Sequence, residues 1–111
     1  DTGEKEKAEK LLSAYEDRMN ALIRRCPELL LYYQYLGLVY QSQGKADQAE
    51  SIMEKAYQIN PSDIMNYQIL RQLYAYNKNG EKLLKLINDW LKDNPNDEQS
   101  RRILDSYQNQ K

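Results

Sequence analysis

Histidine and phenylalanine are absent from this 111-residue chain, and valine, threonine, cysteine and tryptophan occur once each. Without histidine the chain lacks the usual general base and the commonest metal ligand. A single cysteine, Cys26, forbids an internal disulfide and leaves the redox compartment open. One Val and one Thr beside seven Ile leave little of the β-branched material that strands favour. No apolar run approaches the roughly 18 residues that a membrane span needs. Sixteen basic and 17 acidic side chains give a net charge of -1, too balanced to draw the chain toward nucleic acid or anionic lipid. The four glycines, Gly3, Gly37, Gly44 and Gly80, are isolated from one another, so no glycine-rich phosphate loop exists. The length suits one domain with a modest core. A start at Asp1 rather than methionine is expected of a piece taken from a longer protein, with any targeting signal in the missing part. Cytoplasm and periplasm both stay open.

Helix formers dominate what is present: 15 Leu, 7 Ala, 10 Gln and 16 Lys plus Arg. The chain is therefore expected to be all-α. Its prolines, Pro27, Pro61 and Pro95, are spaced evenly, 34 residues apart. Proline cannot continue a helix interior, so equal spacing marks equivalent inter-helix turns. Side chains follow the same period: Tyr33 and Tyr67, Gln34 and Gln68, Leu36 and Leu70, Tyr40 and Tyr74. Asn60-Pro61 recurs as Asn94-Pro95, and Asp63 as Asp97. A fixed period of this size is the mark of a stacked repeat array. A second break divides each period, at Gly44 in one unit and at Asn77-Lys78-Asn79-Gly80 in the next. Apolar stripes follow both breaks: Ala46, Ala49, Ile52, Met53 and Ala56, then Leu83, Leu84, Ile87, Trp90 and Leu91.

Six antiparallel helices are predicted, near 4–25, 28–42, 45–59, 63–77, 80–93 and 97–109. The first carries Ala8, Leu11, Leu12, Tyr15, Met19, Leu22 and Ile23 on one side. The segment Leu29–Tyr40 is apolar nearly all round, which suits a helix covered on several sides. The last helix is polar, as a solvated end should be; Asn96 or Asp97 is expected to cap it, with Gln99 reaching back.

Catalytic patterns are weak. Arg24 and Arg25 precede Cys26 and would favour its thiolate, yet no histidine can serve as its base. Asp89 and Asp93 share a helical face, where a charged exterior explains them without acid–base chemistry. No metal site and no cofactor is expected. Arg24-Arg25, Lys82, Lys85 and Arg101-Arg102 could meet phosphates while tyrosines stack on bases. Against that, charge is balanced, most tyrosines fall on core positions, and Arg24 and Arg25 end a helix whose dipole favours them.

Residues 30–63 resemble a tetratricopeptide repeat (TPR). The positions that carry the family's signature hold Tyr33, Leu36, Gly37, Tyr40, Ala49, Met53, Ala56 and Pro61. Residues 64–97 resemble a degenerate unit: Tyr67, Leu70, Tyr74, Ile87 and Pro95 conform, whereas Arg71, Leu83 and Trp90 replace small residues. Residues 4–29 look like the second half of a partial unit, and 98–111 like a capping helix. Gly37 and Ala49 are expected to form a close helix contact, and the Arg71 head to reach water. The resemblance implies a right-handed superhelix of antiparallel helix pairs with a concave groove lined by first helices, hence a non-enzymatic protein–protein interaction module. Its groove positions hold Leu31, Gln34, Leu38 and Gln41, then Met65, Gln68, Gln72 and Ala75, then Gln99, Arg102, Ser106 and Asn109. Where some relatives clamp a terminal carboxylate with Lys and Asn, this chain has Gln34, Leu38, Gln68, Gln72, Gln99 and Ile103. The expected ligand is instead a neutral, partly apolar peptide or helix, including another part of the same polypeptide. The alternatives are an RNA- or single-stranded-DNA-binding repeat, or a structural tail of a bacterial membrane enzyme such as a glycosyltransferase. Oligomeric state is left open.

Overall fold

A computed structural model describes residues 2–109. It contains six helices: α1 (Thr2–Arg25), α2 (Leu30–Ser42), α3 (Ala46–Ile59), α4 (Ile64–Tyr76), α5 (Gly80–Asp93) and α6 (Glu98–Asn109). No strand occurs among the described residues, so the all-α expectation holds. The predicted bounds agree to within two residues, and residues 110 and 111 of the expected capping segment lie outside the described part.

Local chemistry sets the ends. Asn60 and Asn94, each before a proline, leave α3 and α5 in non-helical conformations, with φ of -146° and -132°. The proline ring disfavours the α region for the residue ahead of it. Asp63 caps α4 by accepting the Asn66 N–H at 2.9 Å, and Asp97 takes the Ser100 N–H at 3.2 Å ahead of α6. The partner completing that second cap is thus Ser100. At the end of α2, Gly44 has φ +76°, and Lys45 N–H reaches back to the Tyr40 carbonyl at 2.8 Å. The α4–α5 turn repeats this geometry, Asn79 N–H to Tyr74 carbonyl at 2.9 Å, with Lys78 at φ 58° where α2 had glycine.

Each helix packs on its neighbours in the chain, α1 on α2 through to α5 on α6. The molecule measures 46 × 35 × 18 Å with a radius of gyration of 15.8 Å, above the ~13 Å of a compact domain of about this length. Consecutive pairing and an elongated outline together are compatible with a solenoid-like stack. The core lies in the middle: Leu36, Ala49, Met53, Ala56, Tyr67, Leu70, Leu73, Leu83 and Ile87 are almost wholly buried. Helix α1 buries no residue fully and α6 buries only Ser100.

Small and large residues divide the interfaces as their sizes require. A Cβ on Gly37 would stand 2.8 Å from Met53 Sδ and 3.0 Å from its Cγ, closer than carbon and sulfur tolerate. The close α2–α3 approach is present, and the atoms nearest to that Cβ belong to Met53 and Ile52 of α3. In the next unit the bulk of Trp90 is taken up by stacking on Tyr67, centroids 4.1 Å apart and planes 5° from parallel.

Arg71 corrects its expectation. It is buried, 8 % exposed, with its guanidinium 5.2 Å from the Tyr67 ring and Nη1 3.5 Å from Ser100 Oγ. Ser100 Oγ donates to Asp97 Oδ2 at 2.7 Å, so its contact with the Tyr67 hydroxyl at 2.6 Å has tyrosine as donor. Trp90 Nε1 donates to the same carboxylate at 2.9 Å. The head of Arg71 stays inside because this polar cluster, joining α4, α5 and α6, supplies partners there.

Carboxylates on the second helices join successive units in a repeated manner. Glu16 accepts from Gln43 at 3.1 Å and Lys45 at 3.2 Å. Glu50, 34 residues later, accepts from Asn77 at 2.7 Å and Lys82 at 3.3 Å. Gln43 and Asn77 both follow the last turn of a first helix, so the contact repeats with the period.

Candidate protein-binding surface

Helix α2 is apolar on every side, yet only part of it is covered. Tyr33, Gln34, Leu36 and Gly37 face the interior. Leu31, Tyr35 and Leu38, spaced i, i+4 and i+7, are 47 %, 48 % and 48 % exposed. That spacing places them in one line along the helix. On α4, Met65 is 54 % exposed and Gln68, Gln72 and Ala75 are exposed as well. On α6, Gln99, Arg102, Ser106 and Asn109 are exposed. Arg102 is drawn to Glu98 at 3.7 Å, an ion pair too solvated to hold it firmly. Gln41 is exposed and borders a recess with Gly44, Ala46, Leu73 and Tyr76.

Gln34 is the exception among the expected groove residues. It is 7 % exposed, and its Nε2 donates to Asn66 Oδ1 at 2.7 Å. Asn66 is wholly buried and donates to the Ala56 carbonyl at 3.1 Å. The Gln34 amide is engaged in tying α2 to α3 and α4, so the expected column of Gln34, Gln68 and Arg102 loses its first member as a free contact. One repeat later, with the neighbouring α6 residue Ser100 turned to Tyr67, Gln68 stays exposed.

The exposed line on α2 borders an uncharged groove. Leu12, Tyr15 and Met19 of α1 and Tyr35, Leu38, Val39 and Ser42 of α2 enclose about 330 Å³. Of these, only Leu38 was among the expected site residues. The apolar stripe of α1 and the all-round apolarity of α2 were both visible in the sequence; what was hidden is that no helix among the described residues covers the place where they meet.

Charged groups gather elsewhere. Between α3, α4 and α5 a recess of about 380 Å³ is lined by residues including Glu54, Tyr57, Tyr74, Lys82, Lys85 and Asp89. Its charges neutralise one another: Lys82 pairs with Glu54 at 3.2 Å and Lys85 with Asp89 at 3.1 Å. Tyr74 donates to Glu54 at 2.5 Å, and burial followed by that hydrogen bond pushes its hydroxyl well above the ordinary tyrosine range. Hydrogen bonds to Glu54 and Glu50 likewise hold the Lys82 ammonium above its usual value. Cys26 is exposed. Among the described residues, no three His, Cys, Asp or Glu side chains converge as metal ligands would, and no helix is long and apolar enough to cross a membrane.

No family model matches this chain, and no curated protein matches it.

Proposed function

We propose that the chain is a non-catalytic repeat module, of the tetratricopeptide kind, that binds a neutral and partly apolar protein segment along its first helices. The observation that carries this is the uncharged exposed line Leu31, Tyr35 and Leu38 on α2, with Met65, Gln68 and Gln72 exposed on α4. Leucine and methionine suit apolar side chains of a peptide or helix, while free glutamine amides donate to and accept from its backbone. The amide that engages the ligand in this scheme belongs to Gln68 and Gln72, since Gln34 is bonded to Asn66. Internal pairing of the charged recess supports a protein ligand over nucleic acid, whose phosphates need unpaired cations.

Selection from a displayed library of random peptides tests the proposal. Enriched peptides should be uncharged and apolar. A Leu38→Ser, Met65→Ser double variant should weaken their binding by about tenfold or more, roughly 1.4 kcal/mol or above. Affinity should change little with salt. Acidic or basic peptides whose binding collapses at moderate salt, or undiminished binding by the double variant, would refute it.

A further inference from the structure

We propose that the recess where α2 and α4 end is an anchor site for one aromatic side chain of the bound segment. Gln41, Gly44, Ala46, Leu73 and Tyr76 enclose about 260 Å³ there. The site belongs to the proposed binding surface and rests on that reading for its natural ligand. Gln41 follows Leu38 by three residues on α2, and Tyr76 follows Gln72 by four on α4. Such spacings keep a side chain on the face of the helix that its predecessor occupies. A segment lying along Leu31, Tyr35 and Leu38 beside Met65, Gln68 and Gln72 therefore meets the recess where both helices end.

The walls are set before any ligand arrives. Asn77 Nδ2 donates to the Ala46 carbonyl at 3.5 Å and to Glu50 at 2.7 Å, and Gly44 N–H donates to the Gln41 carbonyl at 3.0 Å. These bonds tie the end of α4 to the turn between α2 and α3, and a preformed site spares the ligand the cost of ordering it.

The lining selects the occupant. None of the five residues is charged, in a chain of which 30% is charged, so an ionised group would give up water there without gaining a partner. Leu73, 1 % exposed, closes the floor. Gly44 presents bare backbone: a Cβ there would have nothing within 4 Å, and a φ of +76° strains any other residue, so this wall stays flat. At the rim Tyr76 is 80 % exposed, and no hydrogen bond or ring contact holds it among the described residues. A ring laid over Gly44 gives that phenol the offset or edge-on partner it lacks, whereas an aliphatic chain fills the space without using it. The waters displaced, at ~30 Å³ each, have few partners over the Leu73 floor, so their loss favours the ring. The exposed Gln41 amide remains at the mouth for the ligand backbone, or for a phenol or indole N–H. Aromatic residues seated in such pockets are where binding energy concentrates.

Indole is the probe for the recess alone. Titrated into the full chain, it should give saturable amide shifts at Gly44, Ala46 and Tyr76 and bind several-fold more tightly than cyclohexanol. Tyr76→Ala, at an exposed position, should weaken indole binding several-fold. Ala46→Leu, which fills the space, should abolish it with helicity unchanged. Absent shifts, shifts centred on Leu38 and Val39 instead, equal binding of cyclohexanol, or indifference to both substitutions would each overturn the proposal. Peptides selected by the module should carry an aromatic residue at one fixed position. Ala46→Leu should lower the affinity of such a peptide about tenfold and leave that of its aromatic-to-alanine version unchanged. Equal losses for the two versions would overturn the anchor. Indole binding as described, beside peptide binding untouched by Leu38→Ser, Met65→Ser, would refute the proposed surface while sustaining the ring site.

Discussion

At the residue scale, the clearest local conflict is Lys78. It holds φ 58° in the turn where the preceding unit uses Gly44 at φ +76°, a conformation that costs a side chain about 1–2 kcal/mol. Lys78→Gly should raise stability by about 1 kcal/mol, measured as a higher denaturant midpoint. Gly37 has the opposite standing, because its missing Cβ makes room for Met53. Gly37→Leu should cost about 1–3 kcal/mol or more by overpacking, and an unshifted midpoint would deny the close approach. Arg71→Ala should be costly too, about 1–3 kcal/mol, because it strips a buried network of a donor. The sequence marked Gly37 through the family pattern it resembles. It could not mark Arg71 as buried, since the groups beside it, Ser100 and Asp97, come from the first turn of α6 and the residue ahead of it, far along the chain.

At the scale of elements, helix boundaries were legible because proline and asparagine speak locally, through the conformations they forbid or favour. Interfaces were less legible. Trp90, which stands where the resembled family has a small residue, stacks on Tyr67 and bonds to Asp97, contacts that no local signal announced. Trp90→Ala should therefore cost about 3–5 kcal/mol, read by thermal or chemical denaturation. Asp97 joins α5 to α6 and adds a pH dependence. Burial pushes its carboxyl up, but hydrogen bonds from Ser100 and Trp90, with the nearby Arg71 charge, outweigh this and hold it below the ordinary value. A carboxylate lowered in the folded state stabilises fully above its unfolded pKa, about 3.9. That contribution is lost as pH falls through the lower folded value. Asp97→Asn should be less stable than wild type at neutral pH, and the difference should shrink below about pH 4.

At the scale of the whole molecule, the 34-residue period announced a stack before any contact was known, and the elongated outline agrees with it. What the period could not convey is which surfaces stay open. A repeat describes how each unit covers the last, so it is silent about faces that no unit covers. Among the described residues the apolar surface of α1 and α2 is such a face; the period was equally silent on the engagement of Gln34, which depends on Asn66 in the next unit. The account's central claim is that the uncharged first-helix surface, rather than the charged recess, receives a protein segment. Its most direct measurement is backbone amide chemical-shift mapping during titration with a peptide selected by the module. The account predicts the largest shifts at Leu31, Tyr35, Leu38, Met65, Gln68 and Gln72. Shifts concentrated instead at Glu54, Tyr74, Lys82 and Asp89 would contradict it.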